Sequence, residues 1–375
     1  MKKLPTPCYL IDEQKLHSNM EKLAAIREQS GAKMLLALKC FATWGVFDLM
    51  APYMDGTTSS SYYEAKLGYE TFGKETHAYS VAYSHDDVKK VCLFSDKIIF
   101  NSLSQLTRFY PECSDIACGI RINPGISHSG FDLADPAREF SRLGVTSITD
   151  IETAMPMISG AMFHFNCENE DVAAFEKLLA GISLKYSTFL KQLDWVSLGG
   201  GISYTEDHFD CERFAQLIKE FSQQFGLKVY LEPGEAAVTH TTTLVTTVLD
   251  IVQNQKKIAI VDASIEAHML DLLVYRESAG FQGTLATGGF EYQIAGRSCL
   301  AADIFGQGRF KTELQVGDTI IIKDAAGYTM VKKNWFNGVK MPSVAVLRTD
   351  GQIEVLQQSS FSDYKKGLST KKLRI

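Results

Sequence analysis

Eight short runs of apolar or small residues recur over the first two thirds of the chain, and this repetition is what most constrains the fold. The segments between the runs carry apolar residues at helical spacing. Strand-length runs that alternate with helices are typical of a parallel sheet covered by helices. Eight such units predict a (β/α)8 barrel, and the pattern alone leaves a doubly wound open sheet as the alternative. The runs are MLLALKC (34–40), GTTSSS (56–61), THAYSV (76–81), KIIFNS (97–102), IACGIRIN (116–123), GAMFHFN (160–166), WVSLGGG (195–201) and KVYLEPG (228–234), with helices predicted over 62–69, 102–110, 168–180 and 210–224 among others.

The pattern changes past about residue 240. Runs such as TTTLVTTVLDIV (241–252) and KKIAIVD (256–262) alternate or are rich in β-branched residues, and Gly/Asp turns join them without long helices. These features predict a second, β-rich domain of the sandwich or barrel-like kind. We expect a (β/α)8 barrel over 26–240 and a C-terminal β domain over 241–375, with the N-terminal segment 1–25 packing against the C-terminal domain.

Composition excludes several classes of protein. The net charge of −6 over 375 residues argues against a nucleic-acid partner, which would need a basic face. The 8 cysteines are scattered, with no CxxC pair and no Cys/His cluster at zinc spacing, so we expect reduced thiols and no metal site. The N-terminus lacks an apolar stretch behind its two lysines, and no later segment is long and apolar enough for a membrane span. We therefore expect a cytoplasmic protein without a membrane partner.

Polar residues stand at the ends of four of the predicted strands. They are Lys39, His164, the glycines 199–201 and Glu232. Each has a plain explanation alone, because a lysine can snorkel to the surface, a histidine can be satisfied in the core and glycines often form a turn. In a barrel, however, all of them would meet at the carboxyl ends of the strands. Pyridoxal phosphate needs an amine for its aldehyde, a group stacked on its ring, N–H donors for its phosphate and an acid facing its pyridine nitrogen. The sequence therefore predicts this cofactor.

Ordered motifs along the whole chain carry a family resemblance. They are ALKCF (37–41), FHFNCE (163–168), SLGGGI (197–202), EPGE (232–235), HMLD (268–271), CLAADIFG (299–306), AGYT (326–329) and WFNG (335–338). With these motifs the chain resembles the alanine racemase-fold, or fold type III, pyridoxal-phosphate decarboxylases, which include ornithine, arginine and diaminopimelate decarboxylases. Within that family it is most similar to the members that decarboxylate carboxynorspermidine and carboxyspermidine.

The resemblance implies a role for each cofactor-site residue. Lys39 would hold the aldehyde of pyridoxal phosphate as a Schiff base, and His164 would stack on the ring. Gly200 and Gly201 would bind the phosphate, with Tyr328 helping. Glu232 would pair with the pyridine nitrogen and keep it protonated, which makes the ring a strong sink for the electron pair left when CO2 departs. Racemases of this fold use an arginine there, so Glu232 favours decarboxylation.

The CLAAD motif implies a dimer. In the related decarboxylases a cysteine with an acid nearby crosses the dimer interface into the partner's site and protonates the α carbon. Cys299 and Asp303 match those positions. A free cysteine is more often a small buried hydrophobe, but the neighbouring Arg297 and Asp303 favour a polar site. The resemblance thus implies a homodimer with active sites at its interface.

Departures from the family pattern point to the substrate. Related decarboxylases carry an arginine directly after EPG, whereas this chain has Glu235. Together with Asp271 and Asp303, Glu235 would suit a cationic polyamine tail. The expected reaction is decarboxylation of carboxynorspermidine, carboxyspermidine or both, which yields norspermidine or spermidine in polyamine biosynthesis. The preference between the two stays open because one methylene changes binding by only about 1–3 kcal/mol.

Two further differences and two alternative functions remain. Close relatives read HMPD instead of HMLD, and they carry a second histidine where Met162 stands. One alternative is another decarboxylase of this fold, acting on diaminopimelate, ornithine or arginine. The other is a non-catalytic relative that serves as a partner-binding scaffold. The presence of Lys39, Glu232 and Cys299 together argues against the scaffold.

Overall fold

The computed structural model describes residues 4–113 and 115–369. The chain divides into two compact units. One consists of His17–Ala237, and the other joins the chain up to Leu16 to the chain from Val238 onward. The first strand, β1 (Cys8–Asp12), belongs to the second unit, and helix α1 (Glu13–Ser30) follows it. In the described ranges, no helix combines the length and the apolar content that crossing a membrane requires.

The unit His17–Ala237 is built on a closed barrel of eight parallel strands. Each strand pairs with the next in chain order, and the last pairs with the first to close the ring. The predicted barrel is therefore confirmed over the doubly wound sheet. Its strands are β2 (Lys33–Ala37), β3 (Gly56–Ser59), β4 (Glu75–Ser80), β5 (Lys97–Phe100), β6 (Ala117–Ile122), β7 (Gly160–Phe163), β8 (Trp195–Ser197) and β9 (Lys228–Leu231).

Large and small residues alternate around the barrel interior. Trp195 is the largest side chain there, and glycines on the two preceding strands make room for it. A Cβ at Gly160 would lie 2.1 Å from the Trp195 ring, and one at Gly119 would lie 2.5 Å from it. The glycines in IACGIRIN and GAMFHFN thus allow close packing inside the barrel. The buried cluster around this tryptophan comprises Leu35, Tyr79, Ile99, Met162, Trp195 and Tyr230.

Helices separate the barrel strands, and their ends follow the expected capping chemistry. Side chains of Ser61, Ser84, Ser147, Asp171 and Asp210 accept backbone N–H bonds in the first turns. The predicted helices are present, and the one predicted over 168–180 begins four residues later and ends ten residues later than expected. The helices are α2 (Phe47–Met50), α3 (Tyr62–Thr71), α4 (His85–Val91), α5 (Leu103–Cys113), α6 (Ile148–Ala154), α7 (Val172–Leu190), α8 (Cys211–Phe225) and α9 (Glu235–Val238).

The barrel strands end earlier than the sequence runs suggest. Lys39 lies in a turn after β2, which ends at Ala37, because the Cys40 N–H donates back to the Ala37 carbonyl (3.0 Å). His164 and Glu232 likewise follow the last residues of β7 and β9. Placing these residues on the strands themselves was therefore wrong by one or two residues. The turn geometry frees their side chains from the alternation of a strand.

The second unit contains one eight-stranded mixed sheet. Its strands lie in the order β13-β12-β11-β10-β1-β15-β16, with β14 paired to β10. The predicted β-rich domain is confirmed, although short helices interrupt it. Its other elements are β10 (Thr242–Asn254), β11 (Lys256–Val261), α10 (Ile265–His268), α11 (Leu270–Tyr275), β12 (Phe290–Ala295), β13 (Ile304–Phe310), β14 (Thr319–Ile322), α12 (Thr329–Lys332), β15 (Ser343–Leu347), β16 (Ile353–Gln357) and α13 (Phe361–Leu368).

Candidate active site

A small cavity lies at the carboxyl ends of the barrel strands. Three of the residues predicted to bind the cofactor line it together: Lys39, His164 and Glu232. They come from the turns after the first, sixth and eighth barrel strands, which only closure of the barrel brings together. The full lining is Ala37, Lys39, Thr58, Ser59, Ser60, Tyr79, Arg121, Met162, His164 and Glu232.

Lys39 carries the only primary amine in that lining. Burial lowers its pKa, the positive charge of Arg121 lowers it further, and the negative charge of Glu232 partly opposes both. Among the described residues Lys39 makes no ion pair and no side-chain hydrogen bond. The amine is thus held partly desolvated and without a partner, which favours the neutral, nucleophilic form.

Glu232 is a buried carboxylate that the chain holds in place through Ser197. The Ser197 hydroxyl donates to Glu232 Oε1 (2.5 Å) and accepts from the Gly199 N–H (3.1 Å). Burial raises the pKa of Glu232, and the hydrogen bond from Ser197 and the charge of Lys39 oppose that rise. A cationic N–H donor placed in the cavity would favour the ionised form of this acid.

The glycines 199–201 form a cradle that no side chain could enter. A Cβ at Gly200 would lie 2.1 Å from the Glu232 carbonyl oxygen, and one at Gly201 would lie 2.1 Å from the Asn166 carbonyl oxygen. Gly201 also has a φ of +80°. These contacts require glycine here, as expected where backbone N–H groups must approach a ligand closely.

Two observations test whether this cradle fits the phosphate of pyridoxal phosphate. The fully buried Asn166 beside Gly201 leaves its Nδ2 amide without any hydrogen-bond partner. The Gly200 N–H has only a long contact, 3.4 Å, to His164 Nδ1. N–H donors that lack good acceptors inside a protein are costly unless a ligand supplies them. The residues present therefore fit an anionic group at this position.

His164 lies between the lysine and the glycine cradle. Burial lowers its pKa well below the usual value, and the charges of Lys39 and Arg121 act in the same direction. The imidazole is therefore neutral at physiological pH. A Cβ at Gly199 would lie 2.4 Å from His164 Nδ1, so the ring packs directly on the glycine backbone. A neutral aromatic ring in this place can stack on a cofactor ring without adding charge.

Arg121 also lines the cavity and was not among the residues predicted from the sequence. Its Nη1 donates to the Tyr79 hydroxyl (2.9 Å), which donates in turn to Asn101 Oδ1 (2.9 Å). Asn101 also accepts from the Gly144 N–H (2.9 Å), in the loop between β6 and α6. The signal was available, because Arg121 is a charge inside the apolar run IACGIRIN, as Lys39 is in MLLALKC. Ser197 was missed too, because a serine at a strand end has no distinctive pattern.

Glu235 also lies in the barrel unit, at the start of α9. The Cys40 thiol, next in sequence to Lys39, lies 3.6 Å from Glu235 Oε2 and can donate to it. The side chain of Glu235 is half-buried. The turn after β2 and the turn after β9 thus meet through these two residues, which brings Glu235 close to the turn that carries Lys39.

Two predicted residues form a small polar group in the sheet unit. Asp271 lies in the first turn of α11, and Lys332 Nζ donates to its Oδ1 (2.5 Å). The same ammonium lies 5.0 Å from the centre of the Tyr328 ring. Tyr328 has a φ of +54°, which is strained for a residue other than glycine. Asp271 is therefore already matched with a cation, and a cationic ligand would have to compete with Lys332.

The CLAAD segment presents one exposed thiol and one buried carboxylate. Cys299 is exposed, and its N–H donates to Asn337 Oδ1 (2.6 Å). Asp303 is buried, and its two oxygens accept the N–H groups of Ile265 (2.7 Å) and Ser298 (2.8 Å). These contacts favour a role for Asp303 in holding the loop that carries Cys299. Direct contact of Asp303 with a substrate stays a prediction.

Comparisons with known proteins agree with this arrangement. The sequence model of the family described as "Pyridoxal-dependent decarboxylase, C-terminal sheet domain" matches residues 8–326. The chain therefore belongs to the pyridoxal-dependent decarboxylases, and the predicted family and the predicted pyridoxal phosphate cofactor are confirmed. It is an enzyme of the carboxy-lyase class.

Individual relatives resemble this chain over nearly its whole length. The chain is 53% identical over 366 residues to a carboxynorspermidine/carboxyspermidine decarboxylase of Herminiimonas arsenicoxydans, covering 98% of this chain and 100% of the relative. It is 37% identical to an enzyme of the same name from Campylobacter jejuni, covering 96% and 98%. The crystal structure of carboxynorspermidine decarboxylase from Campylobacter jejuni, complexed with norspermidine, matches with a TM-score of 0.91 at 35% identity and covers 97% of this chain and 100% of that chain.

Proposed function

We propose that this chain decarboxylates carboxynorspermidine and carboxyspermidine, giving norspermidine and spermidine in polyamine biosynthesis. The observation that carries the proposal is the meeting of Lys39, His164 and Glu232 in one cavity beside a glycine cradle. The substrate assignment is supported by the whole-length likeness to enzymes named for these two substrates. Diaminopimelate, ornithine and arginine are not favoured as substrates, and neither is a non-catalytic role.

The side chains and backbone groups predicted from the sequence would hold the cofactor. Lys39 would bind its aldehyde covalently, His164 would stack on its ring, and the N–H groups of Gly200 and Gly201 would bind its phosphate. Tyr328 would add a phosphate contact. When bound, pyridoxal phosphate supplies a ring that accepts the electron pair left at the α carbon when CO2 departs.

Glu232 would decide the reaction class. Its carboxylate, fixed by the Ser197 hydroxyl, would accept a hydrogen bond from the pyridine N–H and keep that nitrogen protonated. Burial raises the pKa of Glu232, so a cationic partner is what would keep this acid ionised. Arg121, whose charge also lowers the pKa of Glu232, would support the same ionised state. Glu232→Gln would therefore retain the cofactor while losing most of the decarboxylation rate.

Cys299 would return the proton. Its exposed thiol would transfer the S–H proton to the substrate's α carbon after CO2 leaves, and it would do so in the site of a second copy of the chain. The buried Asp303 would keep the loop of Cys299 in shape through its two backbone hydrogen bonds. The active species would then be a homodimer in the cytoplasm.

The acids would recognise the polyamine tail. Glu235 and Asp271 each offer a carboxylate, and both side chains are only partly buried. Asp271 would exchange its Lys332 partner for the substrate ammonium. An exchange of one ion pair for another costs less than creating a new buried charge. Glu235→Gln and Asp271→Asn should each raise KM by about tenfold with a smaller change in kcat.

The test of the proposed function is CO2 release by the protein loaded with pyridoxal phosphate. Carboxynorspermidine, carboxyspermidine, diaminopimelate, ornithine and arginine would be offered in parallel at equal concentrations. We expect turnover of the first two only. Preferred turnover of an ordinary amino acid would overturn the substrate assignment, and a coloured protein that releases CO2 from none of the five would overturn the proposed function.

A mixing experiment tests the shared site. Lys39→Ala and Cys299→Ala, each nearly inactive alone, should regain about a quarter of wild-type activity when mixed in equal amounts, because mixed dimers carry one intact site. A mixture as inactive as its components, with subunit exchange demonstrated by a labelled chain, would place Cys299 in the same copy as Lys39 or outside the reaction.

A further inference from the structure

Two cysteines on neighbouring helices of the barrel unit bring their sulfur atoms unusually close. Cys92 is the C-cap residue of α4, and Cys113 is the last residue of α5. Their Sγ atoms lie 2.6 Å apart. Non-bonded heavy atoms normally rest at roughly 3.5–4.0 Å, and a disulfide bond measures about 2.05 Å. The pair therefore stands about half an ångström from bonding distance.

We propose that Cys92 and Cys113 form a redox-active dithiol that a low-molecular-weight disulfide oxidises to an intramolecular disulfide. Such a site is distinct from the proposed catalytic machinery, because neither cysteine lines the cavity that holds Lys39. The proposal does not rest on the proposed function, and either can fail without the other.

The exposure of the two sulfurs sets the order of the reaction. Cys92 is partly exposed, whereas Cys113 is buried with 1% of its surface accessible. The Cys92 thiolate would attack the small disulfide RS–SR, forming a mixed disulfide and releasing RS⁻. The Cys113 sulfur would then attack Cys92 Sγ, forming the protein disulfide and releasing the second RS⁻. The two protons lost by the thiols convert both RS⁻ to RSH, so two electrons pass from the protein to the reagent.

The surroundings favour Cys92 as the attacking thiol. The contact with the Cys113 thiol lowers the pKa of Cys92. The same contact, together with burial, raises the pKa of Cys113. The negative charge of Glu112 opposes thiolate formation at Cys92, and His85 lies within ion-pair distance (2.9 Å) of that carboxylate.

A third cysteine nearby serves as the control. Cys118 is the second residue of β6 and is buried, with 3% of its surface accessible. Its thiol donates to the Cys113 carbonyl oxygen (3.4 Å) rather than to either sulfur of the pair. Cys118→Ser therefore changes a cysteine in the same place without touching the proposed bond.

The bond would join the carboxyl-terminal ends of two consecutive helices. It would close a loop of about twenty residues, and a cross-link of this length constrains the unfolded chain. We expect the oxidised protein to melt a few degrees above the reduced protein. In a reducing compartment the dithiol would be the resting state, and the disulfide would form when the thiol pool becomes oxidised.

The experiment treats the full-length protein with glutathione disulfide and identifies the products by mass spectrometry without reduction. In the wild type, the exposed Cys299 should carry a glutathione adduct, and the digest should contain one peptide pair joined through Cys92 and Cys113. Cys118→Ser should behave in the same way. Cys113→Ser should stop at a glutathione adduct on Cys92, whereas Cys92→Ser should carry no adduct on the buried Cys113.

The wild-type digest tests the proposed Cys92–Cys113 disulfide even if a variant fails to fold. A wild-type digest without a peptide pair joined through Cys92 and Cys113, or with a disulfide-linked pair that contains other cysteines, would overturn the proposal. An adduct on Cys113 in Cys92→Ser would overturn the order of attack. Melting temperatures that are equal in the oxidised and reduced wild type would overturn the predicted stabilisation.

Discussion

The barrel has charged side chains at both of its ends, and their hydrogen bonding differs between the two ends. At the base, where the strands begin, Glu75, His77 and Lys97 lie close together beneath Tyr230. At the mouth, where the strands finish, Lys39, Arg121 and Glu232 share one cavity. The same barrel thus contains two sets of charged residues of similar composition. Their hydrogen bonding differs, and this difference assigns a structural role to the set at the base and a chemical role to the set at the mouth.

Charges at the base are matched with one another. Glu75 Oε1 accepts from His77 Nε2 (3.0 Å), from the Tyr230 hydroxyl (2.8 Å) and from Lys97. Asp55 accepts from Arg27 and Lys33 and from the Met34 N–H (3.0 Å). With several donors for each carboxylate, the burial of both acids is compensated, and His77 Nδ1 is the ring atom at the base that lacks a hydrogen-bond partner among the described residues.

Among the described residues, the charged side chains at the mouth lack ion-pair partners. Within the described ranges, Lys39 has no ion-pair partner, Arg121 donates to a tyrosine hydroxyl and Glu232 accepts from Ser197 without an ion pair. Unmatched buried charges are destabilising, and proteins retain them where they bind or react. The hydrogen-bond and ion-pair partners of the charged residues, rather than their burial or charge, therefore distinguish the candidate site at the mouth from the base of the barrel.

The largest expected effect comes from replacing Lys39 at the mouth, with the replacement of Lys97 at the base as its counterpart. Lys39→Ala should lower decarboxylation at least about 1000-fold and abolish the visible absorbance of the bound cofactor, because the covalent attachment is lost. Lys97→Met should keep both properties while lowering the free energy of unfolding by about 2–3 kcal/mol, because it breaks a partly buried ion pair. Absorbance spectra, CO2 assays and denaturant titrations measure the three quantities. A coloured, active Lys39→Ala protein would remove the distinction between the two ends.

An intermediate effect is expected from the two arginines. Arg121 lowers the pKa of Lys39, so Arg121→Met should raise that pKa and slow cofactor uptake at neutral pH several-fold. The pH midpoint of uptake, followed by absorbance in stopped flow, should move to higher pH. Arg27→Met at the base should leave that midpoint unchanged and lower the melting temperature instead. Equal midpoints in wild type and Arg121→Met would contradict the electrostatic role given to Arg121.

The smallest effect concerns stability at low pH. Hydrogen bonds from His77 and Lys97 hold the pKa of Glu75 below its ordinary value of 4.5 in the folded state. A carboxyl with a depressed pKa stabilises the fold above its unfolded pKa, and that contribution is lost as the pH falls through the folded pKa. Glu75→Gln should therefore melt a few degrees below the wild type at pH 7, and the gap should narrow progressively below pH 4.5.

Calorimetry at several pH values gives this comparison, with Glu235→Gln as the control from the mouth. Glu235 lies at the start of a short helix and is only half-buried, so its replacement should leave the melting temperature nearly unchanged at every pH. A constant gap between wild type and Glu75→Gln from pH 7 to pH 3 would show that the ion pairs of Glu75 do not stabilise the folded state.

Much of the fold could be predicted because its periodicity is local. The eight runs and the helices between them follow from apolar spacing, and the change of pattern past residue 240 follows from β-branched residues and turns. The ends of the strands were less accurate, as at Lys39, because a turn such as the one closed by Cys40 and Ala37 depends on hydrogen bonds that no spacing reveals.

The candidate site could be predicted in part. Lys39, His164 and Glu232 stand out because each interrupts or ends an apolar run, and they do line one cavity. Arg121 interrupts a run in the same way and was overlooked. Ser197 and Asn101 could not have been found, because serine and asparagine are common at strand ends and only their partners give them meaning.

The amino-acid sequence by itself determined the alternation of strands and helices, the two kinds of domain and the residue types that the cofactor needs. Only the tertiary structure decided which charges are matched and which are left open. Glu75 and Glu232 look alike in the sequence, since both are glutamates beside a barrel strand. Closure of the barrel gives Glu75 an ammonium, an imidazole and a hydroxyl as partners, whereas Glu232 accepts from the hydroxyls of Ser197 and Thr58 beside a cavity, because partners distant in sequence meet only when the ring of strands is complete.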